Sequence, residues 1–158
     1  MAKRVHAVPV YDEFPLDASL DFMRLLWSVE HGLQRVSKRM ENEIGITGPQ
    51  RLVLRIVGQF PDLSPKELAQ IVHLHPSTIT GVLQRLVDKS LLDRNNHPSD
   101  GRRVRLRVRR EGKRFTSQAT GTVEAAVGDA LSRLPRDHVR RAREVLWAIA
   151  KALDETKS

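Results

Sequence analysis

Between Ser64 and Arg110 the chain carries an order of signals that few folds can satisfy. Ser64-Pro-Lys-Glu67 is a capping box with proline at the favoured first helical position, and it opens a short helix with Leu68, Ile71 and Val72 apolar. Pro76 starts a second helix, with Ile79, Val82, Leu83 and Leu86 on one face. Leu91-Leu92 then enter a strand, residues Asn95 to Gly101 supply a polar tip, and a second strand reads Arg-Val-Arg-Leu-Arg-Val-Arg from Arg103 to Arg109. Strict alternation buries Val104, Leu106 and Val108 and turns a row of guanidinium groups outward. Helix, turn, helix, hairpin is the layout of a winged helix.

That layout also concentrates charge. Eleven basic and four acidic residues lie between Arg85 and Arg114, a net +7 in a chain of +8. A cationic face built on a helix and a hairpin points to a polyanion, and double-stranded DNA fits it best. An anionic membrane surface is disfavoured, because no apolar run approaches the roughly 20 residues of a span. With no cysteine in 158 residues there is neither a disulfide framework nor a thiolate metal site, and a cytoplasmic location follows by default.

On the second helix the polar face holds Ser77, Thr78, Thr80, Gly81, Gln84, Arg85 and Asp88. Small hydroxyls and a glutamine near a helix N-terminus permit close approach to a groove and hydrogen bonds to base edges. Thr80 and Gln84 are the expected base contacts. Arg103, Arg105 and Arg107 suit phosphates better than bases. Arg102 either pairs with Asp100 across the hairpin tip or reaches a narrow minor groove, and a tethered guanidinium can do both.

Flanking segments read as helices. Residues 1–17, with Pro9 and Pro15, lack periodicity and form an N-terminal arm. Asp17 or Ser19 caps a long helix whose apolar positions Phe22, Leu26, Val29, Leu33, Val36 and Met40 are spaced as a heptad seam, which requires a partner helix. From Ser19 to Glu43 it would run about 37 Å. Gly45 ends it in the left-handed conformation. Thr47-Gly-Pro-Gln50 is another capping box, followed by Val53, Ile56, Val57 and Phe60, with Pro61 as the stop. After the hairpin, one helix is expected from Gly112 to about Leu134, its Gly121 and Gly128 marking a close helix crossing. Pro135 then separates a last helix through Leu153.

With these elements in place, the chain resembles the MarR family of bacterial transcription regulators from about Leu20 to Leu153. The resemblance rests on Thr47-Gly-Pro-Gln50, Ser64-Pro-Lys-Glu-Leu-Ala69, Ser77 to Leu86, Leu91-Leu-Asp-Arg94, and above all the wing motif Asp100-Gly-Arg-Arg103. It implies a mainly α fold with a small β-hairpin wing: a winged helix-turn-helix DNA-binding domain (47–111) and a helical dimerisation region (18–46 and 112–158). It also implies a homodimer, with recognition helices in major grooves and wing arginines in minor grooves, and a small effector, often anionic and aromatic. Trp27, His31 and Arg35 on the first helix are candidates to line the effector pocket.

Three positions depart from the family pattern. Ser90 replaces a glycine after the recognition helix, Arg109 replaces a capping threonine, and Arg103 replaces a small residue. The DNA-contacting set is therefore Ser77, Thr78, Thr80, Gln84, Arg85, Arg102, Arg103 and Arg105. The alternative function is a winged-helix chromatin protein without ligand control. No catalytic motif is present, no cofactor is implied, and the His73/His75 pair lacks the companions of a metal site.

Overall fold

A computed structural model of the chain describes residues 15–97, 100–117 and 119–156; the side chains of His97, Asp100 and Arg102 lie outside the described residues. The expected arm therefore falls almost wholly outside them. Helix α1 (Ala18–Ile44) begins where Asp17 Oδ1 accepts the Leu20 N–H at 3.0 Å, so Asp17, not Ser19, is the cap. Gly45, at φ 78°, ends it as expected. Helix α2 (Gly48–Gln59) and helix α3 (Pro65–Val72) both open on complete capping boxes, from Thr47 with Gln50 and from Ser64 with Glu67. Helix α4 (Pro76–Asp88) follows after a three-residue turn.

Strands β1 (Leu92–His97) and β2 (Asp100–Val108) pair antiparallel, Leu92 opposite Val108, with a register shift at Asn96/His97. The polar tip is thus shorter than the sequence implied, because Asn95 and Asn96 remain in the ladder. Asp62 and Leu63, ahead of α3, extend the pairing: Asp62 N donates to Leu106 O at 3.1 Å, and Leu106 N to Leu63 O at 2.8 Å.

One apolar core holds these elements together. Val53, Leu54 and Val57 of α2, Leu68 of α3, Ile79, Leu83 and Leu86 of α4, and Leu92 and Leu106 of the hairpin are all buried in it. Ile71, expected inside, is exposed. An eight-residue helix buries only one stripe, and Leu68 and Ala69 fill it.

The segment after the hairpin corrects the sequence reading. Instead of one long helix, a 3₁₀ helix (Arg110–Phe115) is followed by an irregular stretch, and helix α5 spans only Val123–Ser132. Arg109 occupies the cap position of the 3₁₀ helix without a side-chain cap bond, as its lack of a hydroxyl requires. Local side chains compete for the helical carbonyls: Thr116 Oγ1 bonds Lys113 O and Thr122 Oγ1 bonds Ala119 O, both at 2.8 Å. Gly121 sits at φ 73°, so it breaks the helix and does not pack within one. At Gly128 a Cβ would meet nothing within 4 Å, so the close crossing is not found among the described residues. Helix α6 (Arg136–Glu155) completes the chain.

The chain divides into two units: residues up to Leu26 together with those from Glu124 onward, and Trp27–Val123. In the first, Phe22, Val127, Leu131, Val145, Leu146 and Leu153 are exposed apolar side chains. In the second, Val29 and Leu33 of α1 are exposed, whereas Met40 is buried.

Candidate nucleic-acid interface

The site is assembled on α4 and the hairpin, both within the unit Trp27–Val123. Four apolar residues of α4 point into the core, which forces Ser77, Thr78, Thr80, Gln84 and Arg85 outward; all five are exposed. Gly81 lies in the same polar sector, and a Cβ built there would meet nothing within 4 Å.

The N-terminus of α4 is capped by a residue the sequence reading left unassigned. His75 Nδ1 accepts the Ser77 N–H at 3.3 Å and lies 2.7 Å from Ser77 Oγ. A ring nitrogen thus does what an aspartate or serine oxygen usually does. His73 takes the left-handed position after α3 at φ 50°. Both histidines belong to the turn, and among the described residues no group of three or more side chains could hold a metal ion.

At the other end of α4, Lys89 Nζ donates to Gly45 O at 2.6 Å and approaches Gln50 Oε1 at 3.4 Å. This ties the C-terminus of the recognition helix to the α1–α2 junction. Ser90 then turns the chain at φ 55°, the left-handed conformation a glycine would adopt freely.

In the hairpin the expected row of free guanidinium groups is only partly present. Arg107 makes a two-pronged pair with Asp62, Nε to Oδ1 at 2.6 Å and Nη2 to Oδ2 at 2.8 Å. Arg105 Nη1 stands 3.7 Å from the same carboxylate, and the Arg105 side chain is only 20% exposed. Its Nε is buried and has no hydrogen-bond partner among the described residues. Arg109 lies 3.4 Å from Asp93. Asp62, itself in the left-handed region at φ 71°, thus clamps β2 to the α2–α3 turn.

Arg103 stays exposed and lines an open groove with Ser64, Lys66 and Gln70 beside the start of α3. Glu67 accepts the Ser64 N–H at 2.8 Å and the Ser64 hydroxyl at 2.7 Å. These bonds hold its carboxyl below the ordinary carboxylate range, with a smaller contribution from Arg103. The proposed Asp100–Arg102 pairing lies outside the described side chains.

One buried charge had no signal in the sequence. Arg51 of α2 is 1% exposed, and its Nη2 donates to Ser117 O at 2.5 Å, anchoring the irregular stretch before α5. The candidate effector residues Trp27 (61% exposed), His31 and Arg35 share one exposed stripe of α1, four residues apart.

A helix-turn-helix with an exposed polar recognition face, braced by a cationic two-stranded wing, defines a winged-helix nucleic-acid-binding protein. Residues 46–104 match the model of the MarR family. An HTH-type transcriptional repressor of Mycobacterium tuberculosis is 29% identical over 130 residues, covering 82% of this chain and 92% of that protein. The PcaV transcriptional regulator of Streptomyces coelicolor, solved with its natural ligand, superposes with a TM-score of 0.70 at 26% identity, covering 89% of this chain and 99% of that one. A MarR mutant from E. coli, solved with operator DNA, shares the fold at a TM-score of 0.65 and 23% identity, covering 83% and 94% of the two chains. Over residues 46–104 the chain is thus similar to the MarR family, and over most of its length it is similar to proteins named as transcriptional repressors. Among the described residues no helix is long and apolar enough to cross a membrane.

Proposed function

We propose that the protein is a homodimeric transcriptional repressor that binds a pseudo-palindromic DNA operator and releases it when a small anionic or aromatic molecule binds. One observation carries the reading: the outward face of α4 presents Ser77, Thr78, Thr80, Gln84 and Arg85, none of which the core uses, on a domain with a cationic wing. These five residues, with Arg102 and Arg103, form the DNA-contacting set. Arg105 is better assigned to bracing the wing, since it faces Asp62 and its side chain is only 20% exposed.

Residues 47–111 act as the DNA-binding domain. Residues 18–46 and 112–158 act as the dimerisation region, where a second copy would cover Phe22, Leu33, Val127, Leu146 and their neighbours. Two-fold symmetry sets the half-sites about one helical turn, ~10 bp, apart. Trp27, His31 and Arg35 are the proposed effector contacts, an aromatic face and two nitrogen donors suited to an aromatic anion. The ligand-bound PcaV structure and the operator-bound MarR structure support this pairing of roles. Such a protein works at the nucleoid, in the cytoplasm.

Fluorescence anisotropy with operator and scrambled duplexes over a salt series tests the proposal. Affinity should fall steeply and log-linearly with salt, and the operator should be preferred. Arg102→Ala should weaken operator binding at least about tenfold, a loss on the scale of one good DNA contact, with an unchanged melting temperature. Equal binding of all duplexes would favour a chromatin-coating protein instead, and no binding at low salt would refute both readings.

A further inference from the structure

We propose that the Thr80–Gln84 stripe of α4 is set to accept hydrogen bonds from DNA, and that Asp88 is the specificity-determining residue that aims Gln84. The inference rests on the reading of Thr80 and Gln84 as base contacts and deepens it. Two polar side chains of this face, Thr80 and Gln84, each commit a proton within the protein. Thr80 Oγ1 donates to Pro76 O at 2.9 Å. A hydroxyl has one proton, so only its lone pairs and the methyl group remain for DNA. Ser77 Oγ lies 2.7 Å from His75 Nδ1, the nitrogen that also takes the Ser77 N–H. Gln84 Nε2 donates to Asp88 Oδ1 at 2.8 Å.

The Gln84 contact decides the most. A free glutamine amide can turn either edge outward and so read either a donor or an acceptor. A carboxylate accepts, so Asp88 takes one of the two Nε2 protons and holds Nε2 toward the end of the helix, with Oε1 on the opposite edge. Positions 80, 84 and 88 are four apart and share one stripe. That stripe therefore offers two acceptors, Thr80 Oγ1 and Gln84 Oε1, and one donor, the second Nε2 proton, to the groove.

In the major groove, adenine N6 and cytosine N4 are donors, whereas guanine O6 and N7 and thymine O4 are acceptors. The stripe accordingly selects an amino-bearing base, adenine or cytosine, on the strand it faces. Opposite Thr80 Oγ1 and Gln84 Oε1, guanine and thymine would set acceptor against acceptor. Asp88 also repels the DNA backbone, so it gives up affinity for every sequence in exchange for discrimination between sequences.

Selection from a randomised duplex pool with the unmodified protein, Gln84→Ala and Asp88→Ala tests this. Both sites are exposed, and thermal melts confirm that the variants fold. For the unmodified protein we expect adenine or cytosine at the position whose preference disappears in Gln84→Ala. Asp88→Ala should bind the pool more tightly overall yet lower the amino-to-keto ratio at that position by roughly fivefold, the low end of what a base contact is worth. If Gln84→Ala abolishes the preference while Asp88→Ala leaves it intact, the aiming role of Asp88 is wrong. A guanine or thymine preference in the unmodified protein overturns the acceptor assignment. If Gln84→Ala changes no position, the underlying assignment of Gln84 as a base reader fails, and the inference falls with it.

Discussion

Gly112 closes the junction between the wing and the segment leading to α5, and replacing it with alanine should be among the most damaging single-methyl changes in this chain. A Cβ there would stand 2.2 Å from Leu91 O, 2.9 Å from Val108 Cγ1 and 3.1 Å from Leu91 C. The nearest of these obstacles is main chain, and it is tethered: Leu91 O accepts the Arg109 N–H at 3.0 Å, and Leu91 N donates to Leu86 O at 2.9 Å. Relief requires a displacement of about 1 Å in one of two buried backbones, at the scale where overpacking costs about 1–3 kcal/mol. Straining or losing the Arg109–Leu91 bond adds about 1 kcal/mol. A total near 3 kcal/mol corresponds to a fall of roughly 6–12 °C in melting temperature for a domain of this size. Thermal unfolding should be followed at one fixed protein concentration, because the stability of the proposed dimer depends on concentration. A Gly112→Ala protein melting within about 2 °C of the unmodified protein would refute the reasoning, since its junction would then be loose enough to absorb a methyl group.

Gly81→Ala should behave in the opposite way: the site is open and helical, so stability should rise by about 0.5–1 kcal/mol. Operator affinity should nevertheless fall, because the added methyl stands between α4 and the groove; melting and anisotropy on the same preparation check both halves. Glu67→Gln tests the capping box of α3. A carboxyl held below its ordinary range adds stability above the unfolded-state value and loses it as pH falls through the folded one. Glutamine keeps the box but does not titrate, so the variant's melting temperature should drop less between about pH 6 and pH 3. Leu33→Glu places a charge on a seam residue that is 40% exposed in one protomer, and light scattering should find a folded monomer.

Much of the DNA-binding domain was legible because its signals are local. Thr47 with Gln50 and Ser64 with Glu67 announce two helix starts within four residues each, and the Val104–Leu106–Val108 alternation announces β2. What escaped depended on distant partners or on a competing local bond. Phe115, Ala119 and Val123 keep helical spacing straight through the break, so periodicity alone could not reveal that Thr116, Thr122 and Gly121 divert the backbone. The clamp of Asp62 on Arg105 and Arg107 joins residues more than forty positions apart, and no pattern within β2 distinguishes a paired arginine from a solvated one. His75 went unassigned as a cap because the usual capping oxygens are absent at that position. Burial of Arg51 leaves no trace in the polar-apolar alternation of α2. The candidate DNA contacts on α4 were visible as residue types, but not the internal bonds that decide which of their edges face outward.

Hydroxyl-radical footprinting on a selected operator tests the account most directly. It predicts two symmetric protected tracts centred about one helical turn apart, ~10 bp, each carrying both backbone protection from α4 and minor-groove protection from the wing. A single unpaired tract, or even protection along the whole duplex, would contradict it.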